Sequence, residues 1–311
     1  MIATVTLNAA IDKTIICHQV KSGGITRAEE ALAVAGGKGI NVARTVFKLG
    51  GEVLATGLAG GSNGAIIRNL LEQEKIDYHL IELRDNSRMC LTIIEKCNQT
   101  ITELYDPSPV VQPEEWENFK RFMSKLARKA DLITLDGSLP SGLSDEAYGE
   151  LIFLIRKANE RCKVILDTSG QALQKGIKAK PFMIKPNRDE MEILIGHSLS
   201  DKEEQIKAVK ALLAEGIEVV VLSLGNKGVV FGYNRAVYQV DPLAVEVKSS
   251  VGCGDALVGG FAHRFLGAGD VIEAVKYGVA SATSNLTSKT QGNVSRTQVE
   301  EFSRLIKLYQ V

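Results

Sequence analysis

A three-layer αβα fold with a central parallel sheet and a small accessory sheet is what this sequence predicts, on three observations. Short β-rich runs alternate with amphipathic stretches of helical period along most of the 311 residues. Several of those runs, such as Val164 to Leu166 and Val219 to Leu222, are apolar on both faces, as buried parallel strands covered by helices must be. Two stretches, residues 12–35 and 88–105, interrupt the alternation.

In chain order, Ile2 to Leu7 reads as the first strand, and residues 12–35 hold no clear amphipathic helix. Glu52 to Gly60 is strand-like and leads into a helix carrying Ile66, Ile67, Leu70 and Leu71. Residues 88–105 read as a hairpin, Arg88 to Glu95 and Thr100 to Tyr105 joined through Lys96-Cys97-Asn98-Gln99. Asp131 to Gly137 is a strand followed by a helix from Ser144 to about Glu160, and Lys163 to Gly170, Pro181 to Asn187 and Val219 to Gly225 continue the pattern. The two irregular stretches suit a small sheet projecting from the core as a lid. No linker, repeat or low-complexity tract divides residues 1–311, so a single domain is expected, with the lid drawn from about 12–35 and 88–105.

Composition narrows the function. Lysine plus arginine and aspartate plus glutamate each number 37, so the formal net charge is zero and the basic footprint of a nucleic-acid binder is missing. Five cysteines in no CxxC spacing indicate neither a disulfide framework nor a zinc site, and four histidines are scattered without ligand spacing. No apolar run approaches membrane-spanning length and no basic leader precedes Ile2, which together read as a cytoplasmic chain acting on small molecules.

Two glycine clusters carry the chemistry. Val251-Gly252-Cys253-Gly254-Asp255 opens a helix whose apolar period runs through Leu257, Val258, Phe261 and Phe265. The first-turn amides of such a helix are unpaired and attract anions, and glycine lets a phosphoryl oxygen approach them. A carboxylate is a poor phosphate ligand, so Asp255 at this mouth points to proton abstraction from an attacking hydroxyl. An aspartate that only stabilises the helix dipole explains the same motif, and the motif alone does not separate the two. Gly36-Gly37-Lys38-Gly39-Ile40-Asn41 repeats the theme: Lys38 brings charge and Asn41 a two-sided amide suited to sugar hydroxyls. Neither cluster matches G-x-x-x-x-G-K-[ST] or G-x-G-x-x-G.

Together, Gly36 to Arg44 and Val251 to Asp255, in that order and at that separation, resemble the two signatures of the ribokinase-like (PfkB) sugar kinases. Further matches are Thr6-Leu7-Asn8 to Asp12, Gly137-Ser138-Leu139-Pro140, Leu166 to Gly170, Lys185-Pro186-Asn187 with Glu190, and Ser223-Leu224-Gly225 with Gly228. The resemblance covers most of the chain and is strongest toward the phosphosugar branch, the tagatose-6-phosphate kinases and 1-phosphofructokinases. It implies ATP and Mg²⁺, a ketohexose monophosphate as acceptor and a bisphosphate as product.

By that resemblance, Asp255 is the base and Gly252, Cys253 and Gly254 supply the anion hole. Asp12, Gly37, Lys38 and Asn41 hold the sugar hydroxyls, while Arg27 and, in preference, Arg88 meet the phosphate already on the substrate. Lys185, Asn187, Ser223, Gly225 and Gly228 serve the nucleotide, with Asn285 a weaker candidate at the adenine. Asn187 and Glu190 stand near Mg²⁺ through water, although their spacing is also that of a helix capping box.

The sequence departs from the pattern at Ala9 (usually Pro), Asp136 (commonly Ser) and Cys253 (usually Ala or Ser). A thiol at a helix N-terminus is expected to have a lowered pKa and to be open to thiol reagents, but an inert, buried small residue is the preferred reading of Cys253. The resemblance leans to tagatose 6-phosphate as the sugar, through Arg88-Met89-Cys90 and Ala35, with fructose 1-phosphate the alternative, toward which Asp106-Pro107 and Leu166 to Gly170 lean. A catalytically silent sugar-phosphate sensor and a dinucleotide-dependent oxidoreductase are the readings from other classes. Projecting lid strands leave edges that a homodimer would cover.

Overall fold

A computed structural model describes residues 1–288 and 290–311. The chain opens with β1 (Ile2–Thr6), β2 (Ala10–Cys17) and β3 (Glu30–Gly36), then α1 (Lys38–Lys48), β4 (Val53–Gly60), α2 (Gly61–Glu74) and β5 (Tyr78–Leu83). There follow β6 (Arg88–Glu95), β7 (Thr100–Tyr105), α3 (Pro113–Ala127), β8 (Leu132–Asp136), α4 (Ala147–Ala158), β9 (Lys163–Asp167), α5 (Gly170–Gly176), β10 (Met183–Ile184), α6 (Arg188–Ile195) and α7 (Lys202–Ala214). The last part comprises β11 (Val219–Ser223), β12 (Val229–Tyr233), β13 (Ala236–Val240), α8 (Cys253–Ala268), α9 (Val271–Leu286), α10 (Arg296–Leu305) and β14 (Leu308–Gln310).

The large sheet runs β14-β13-β12-β11-β10-β9-β8-β1-β4-β5. From β11 to β5 it is parallel, as the two-sided apolar strands require. Beyond β11 the chain folds back as antiparallel β12, β13 and β14, an extension that the repeating strand–helix pattern does not contain. The sheet separates two apolar cores. One lies under α1, α2, α8, α9 and α10, with Ile40, Val46, Ile67, Phe261, Ala280 and Val299. The other lies under α3, α4, α5, α6 and α7, with Phe119, Leu151, Leu173, Met191 and Leu212. Successive strand residues feed opposite cores, Val219 and Val221 the first, Val220 and Leu222 the second. Among the described residues no helix is long and apolar enough to cross a membrane.

The two irregular stretches meet in a separate four-stranded sheet, β3-β2-β6-β7. Here β2 runs antiparallel to β3 and parallel to β6, and the expected hairpin of β6 and β7 forms in register from Cys90 opposite Tyr105 to Glu95 opposite Thr100. Its two insertions leave the large sheet after the C-terminal ends of β1 and β5. The order in which strands are added reverses between β1 and β8, and crevices at such switch points, outside the carboxyl ends of parallel strands, are where α/β folds bind ligands.

Candidate active site

Three strand ends, Thr6, Asp136 and Asp167, stand side by side in register at that crevice. Above them the chain starts α1 at Gly37, whose φ of 107° favours glycine and whose added Cβ would lie 2.5 Å from Thr6 Cγ2. Gly36 just before it has the Asp12 carboxyl group against its Cα, so that any side chain there would displace Asp12. The cluster therefore does more than loop before a helix: it lets α1 begin on the end of β1 and seats a carboxylate from the small sheet beside it.

Helix α8 starts next to α1. Gly252 caps it with φ 79°, and the amides of Gly252, Gly254 and Asp255 have no backbone partner among the described residues, while Cys253 N–H makes a long 3.4 Å bond to Ser250 O. Lys185, 5% exposed, brings its ammonium to the same place: a Cβ on Gly254 would lie 3.0 Å from Lys185 Nζ. Unpaired amides and a buried ammonium at one helix mouth are the donors a transferring phosphoryl group needs.

Asp255 is 6% exposed in the first turn of α8. Its Oδ2 accepts a 2.8 Å hydrogen bond from Asn41 Nδ2. Burial pushes the Asp255 carboxyl up to about 6, against the lowering effect of Lys38, Asn41 and Lys185. A carboxylate poised there is ionised at neutral pH yet basic enough to take a proton from an alcohol as its O–P bond forms.

Charge in the pocket is balanced by Asp167. Fully buried, it receives Lys185 Nζ at 3.3 Å and Lys38 Nζ at 3.4 Å on one oxygen. Burial works to raise its pKa, but the two ammonium groups prevail and hold it below the usual carboxylate range. Asp167 in turn keeps Lys38 firmly protonated. Asp136, its neighbour on β8, is fully buried and accepts from Thr134 Oγ1; burial, reinforced by Asp167, drives its pKa well upward. Residue patterns did not single out either acid for this role, because both depend on strand register rather than on local spacing. Gln291 is a third omission: its Oε1 accepts 3.0 Å from Asn41 Nδ2, and no sequence signal marks it.

On the side of the small sheet, Asp12 lies opposite Cys90, and burial raises its pKa against the attraction of Arg44 and Arg88. Arg88 pairs in register with Ala10, and its Nε is buried without a partner among the described residues. Such an orphaned donor on a guanidinium is what an incoming phosphate would satisfy. Arg27 lies outside this cluster, exposed in the connection between β2 and β3.

Past Lys185, Asn187 and Glu190 form a complete capping box on α6: Glu190 N–H donates to Asn187 Oδ1 and Asn187 N–H to Glu190 Oε2, each 2.8 Å. Capping engages the single oxygen of Asn187 and one of the two on Glu190, and among the described residues no cluster of three acidic, histidine or cysteine side chains could cage an ion. The donor set fits a Mg²⁺ that keeps its water and arrives on nucleotide phosphates. A parallel bridge between Asn187 and Ser223 sets this turn against the Ser223 to Gly228 turn, where Gly225 and Gly228 have φ of 59° and 84°. Asn285, fully buried, donates to Val251 O at 2.9 Å and to Cys253 Sγ at 3.4 Å, so its amide fastens the entrance of α8.

Cys253 fits the inert reading rather than the reactive one. Its thiol pKa is raised, by burial first and by Asp255 next, and the bond from Asn285 does not offset them. A helix terminus alone favours a reactive thiolate, but here the same turn holds a carboxylate and a half-buried sulfur.

Residues 5–298 match the pfkB family carbohydrate kinases. The chain is 30% identical over 314 residues to the tagatose-6-phosphate kinase of Staphylococcus epidermidis, with all of both chains covered. Its fold superposes on phosphofructokinase-2 from Escherichia coli solved with potassium, with TM-score 0.91, 26% identity and 98% of each chain covered. A possible 1-phosphofructokinase from Thermotoga maritima gives TM-score 0.89 at 26% identity, covering 100% of this chain and 99% of that one. Matched along nearly its whole length, the chain is a member of the pfkB family of carbohydrate kinases, enzymes that phosphorylate a sugar hydroxyl.

Proposed function

We propose that the protein is an ATP-dependent kinase of a ketohexose monophosphate, with tagatose 6-phosphate as its substrate. The observation that carries the reading is Asp255, buried at the amide-lined mouth of α8 with its carboxyl raised to about 6 and hydrogen-bonded to Asn41. In this account the sugar phosphate enters between the two sheets, its phosphate on Arg88 and its hydroxyls on Asp12, Lys38 and Asn41. Asp255 takes the proton of a primary hydroxyl as that oxygen bonds to the γ-phosphorus and the bond to the ADP oxygen breaks. The amides of Gly252, Cys253 and Gly254, with Lys185, meet the charge on the transferring group.

ATP lies along the turns at Lys185 to Asn187 and Ser223 to Gly228. Asn187 and Glu190 would hold Mg²⁺ through water, and the ion would supply charge neutralisation of the phosphates. The small sheet serves as a lid that keeps water from the activated phosphoryl group, with Arg27 at its margin. Strand β7 is exposed along its whole length and carries Ile101, Leu104 and Tyr105, which supports self-association through the lid.

Full-length similarity to a tagatose-6-phosphate kinase favours a 6-phosphorylated ketose, while the orphaned Arg88 Nε supports a phosphate on the sugar at either end. Fructose 1-phosphate is the second reading, favoured by the fold's likeness to the Thermotoga protein. Steady-state kcat/KM for tagatose 6-phosphate, fructose 6-phosphate, fructose 1-phosphate, ribose and adenosine, followed by ADP release, decides between them. The reading expects tagatose 6-phosphate to lead. A lead for ribose or adenosine contradicts a phosphosugar site, and tight sugar-phosphate binding with no ADP formed identifies a sensor instead.

A further inference from the structure

Arg44 is 4% exposed in the middle of α1, and all five of its N–H groups are used. Nε and Nη2 grip the Glu74 carboxylate on α2, the latter at 2.8 Å. Nη2 also donates to Ala35 O on β3 at 2.6 Å. Nη1 donates to Asn41 Oδ1 at 2.7 Å and to Gln291 O, in the segment after α9, at 3.3 Å. One side chain thus ties together two helices, the last turns before α10 and the end of the small sheet.

The bond to Asn41 has a chemical consequence. An amide can present either its oxygen or its NH₂ to a neighbour, but a guanidinium only donates. Asn41 must therefore turn Oδ1 to Arg44, which sends its two N–H groups to Asp255 Oδ2 at 2.8 Å and Gln291 Oε1 at 3.0 Å. The ionised Asp255 carboxylate, only an acceptor, favours the same orientation, and Arg44 opposes from the other side a half-turn that would set oxygen against carboxylate.

We infer that Arg44 is the positioning residue for the catalytic base, locking the Asn41 amide so that it donates to Asp255 and linking that lock to the lid strand through Ala35. The inference rests on the reading of Asp255 as the base. The other charged groups around Asp255 are Lys38 on α1, Asp167 on β9, Asp136 on β8 and Lys185 after β10, and none of them bonds to Arg44. Around Arg44 stand Glu74 and, through space, Asp12 on β2.

The test is the pH dependence of kcat/KM for Arg44→Lys, Arg44→Gln and Glu74→Gln beside wild type and Asp255→Asn, with tagatose 6-phosphate and MgATP. Arg44→Lys keeps the charge that acts on Asp12 but loses the planar fork, so a shift in that variant reports the amide rather than Asp12. Loss of a donated bond to a carboxylate is expected to move the acid limb upward by about one pH unit. The fall in kcat/KM is then about twofold at pH 7 and grows to about tenfold by pH 5, with the KM for MgATP unchanged. Glu74→Gln, on a partly exposed partner, shifts the limb the same way by less. Loss of scaffold alone would lower the folded fraction without moving the limb. An unmoved acid limb in every variant that folds overturns the positioning role while leaving Asp255 as the base. Retained turnover in Asp255→Asn removes the base itself, and this inference with it.

Discussion

The base pocket and the small sheet are built on opposite principles. In the pocket, Asp255, Asn41, Asp167 and Lys185 are each no more than 6% exposed, and each is held by two or more charged or hydrogen-bonding neighbours. In the small sheet every residue of β7 is exposed, as are most of β3, and Ile101 is 65% and Leu104 56% accessible. Buried, mutually compensating charges fix geometry to a fraction of an ångström at a cost in desolvation. An exposed sheet with few buried contacts opens cheaply and can move. On the proposed function, the chemical step belongs to the first region and admission of substrate to the second.

Substitutions break the comparison most sharply in the pocket. Asp255→Asn should lower kcat by about 10³-fold, within the range for loss of a general base, with ATP affinity measured by calorimetry kept. It should not cost stability. An Asp whose pKa is raised from 3.8 to about 6 is destabilising when ionised, so its contribution improves as pH falls from above 6 toward 4. The Asn variant is therefore expected to match or exceed wild-type Tm at pH 8, which separates lost chemistry from lost folding.

Asp167→Asn tests the charge balance. Leaving Lys38 and Lys185 without their shared carboxylate should cost about 3 kcal/mol in urea unfolding. Removing a negative neighbour should also lower the Asp255 pKa, moving the acid limb of kcat/KM downward. An upward shift would contradict the electrostatic arrangement.

Across the boundary, Arg88→Lys keeps charge but gives up the fork. It should raise the KM for the sugar phosphate about tenfold and leave kcat within a few-fold. A kcat loss with unchanged KM would move Arg88 from substrate capture to the chemical step. Smallest of all, Leu104→Ser on β7 should leave kcat unchanged and shift sedimentation toward a lighter species at low protein concentration. An unaltered sedimentation profile denies the lid a role in self-association.

What could be read without coordinates follows the same division. The mouth of α8, the Gly36 to Asn41 turn, the capping box at Asn187 and the hairpin of β6 and β7 are each set by neighbours within a few residues, so local pattern revealed them. The parallel core was legible because strands buried on both faces have a distinctive composition. Asp167 was visible only as one residue of a matched stretch, and its role as the counter-charge of two lysines emerges from β8, β9 and β10 lying side by side. Arg44 and Gln291 gain their meaning from contacts across more than two hundred residues of chain. The Cys253 thiol shows a local rule overridden: a helix terminus favours thiolate, but burial and Asp255 outweigh it. The antiparallel β12 to β14 extension has strands of ordinary composition, and only pairing reveals its direction.

The central claim is that a buried carboxylate with its pKa near 6 removes the proton from the acceptor hydroxyl. The pH dependence of kcat/KM tests it directly, with saturating MgATP and the sugar phosphate varied from pH 4.5 to 9. The account predicts activity that falls with unit slope below an apparent pKa of about 6 and, in Asp255→Asn, a residual rate with that limb abolished. A rate that stays flat down to pH 4.5, or an Asn variant that keeps both its turnover and the limb, would contradict it.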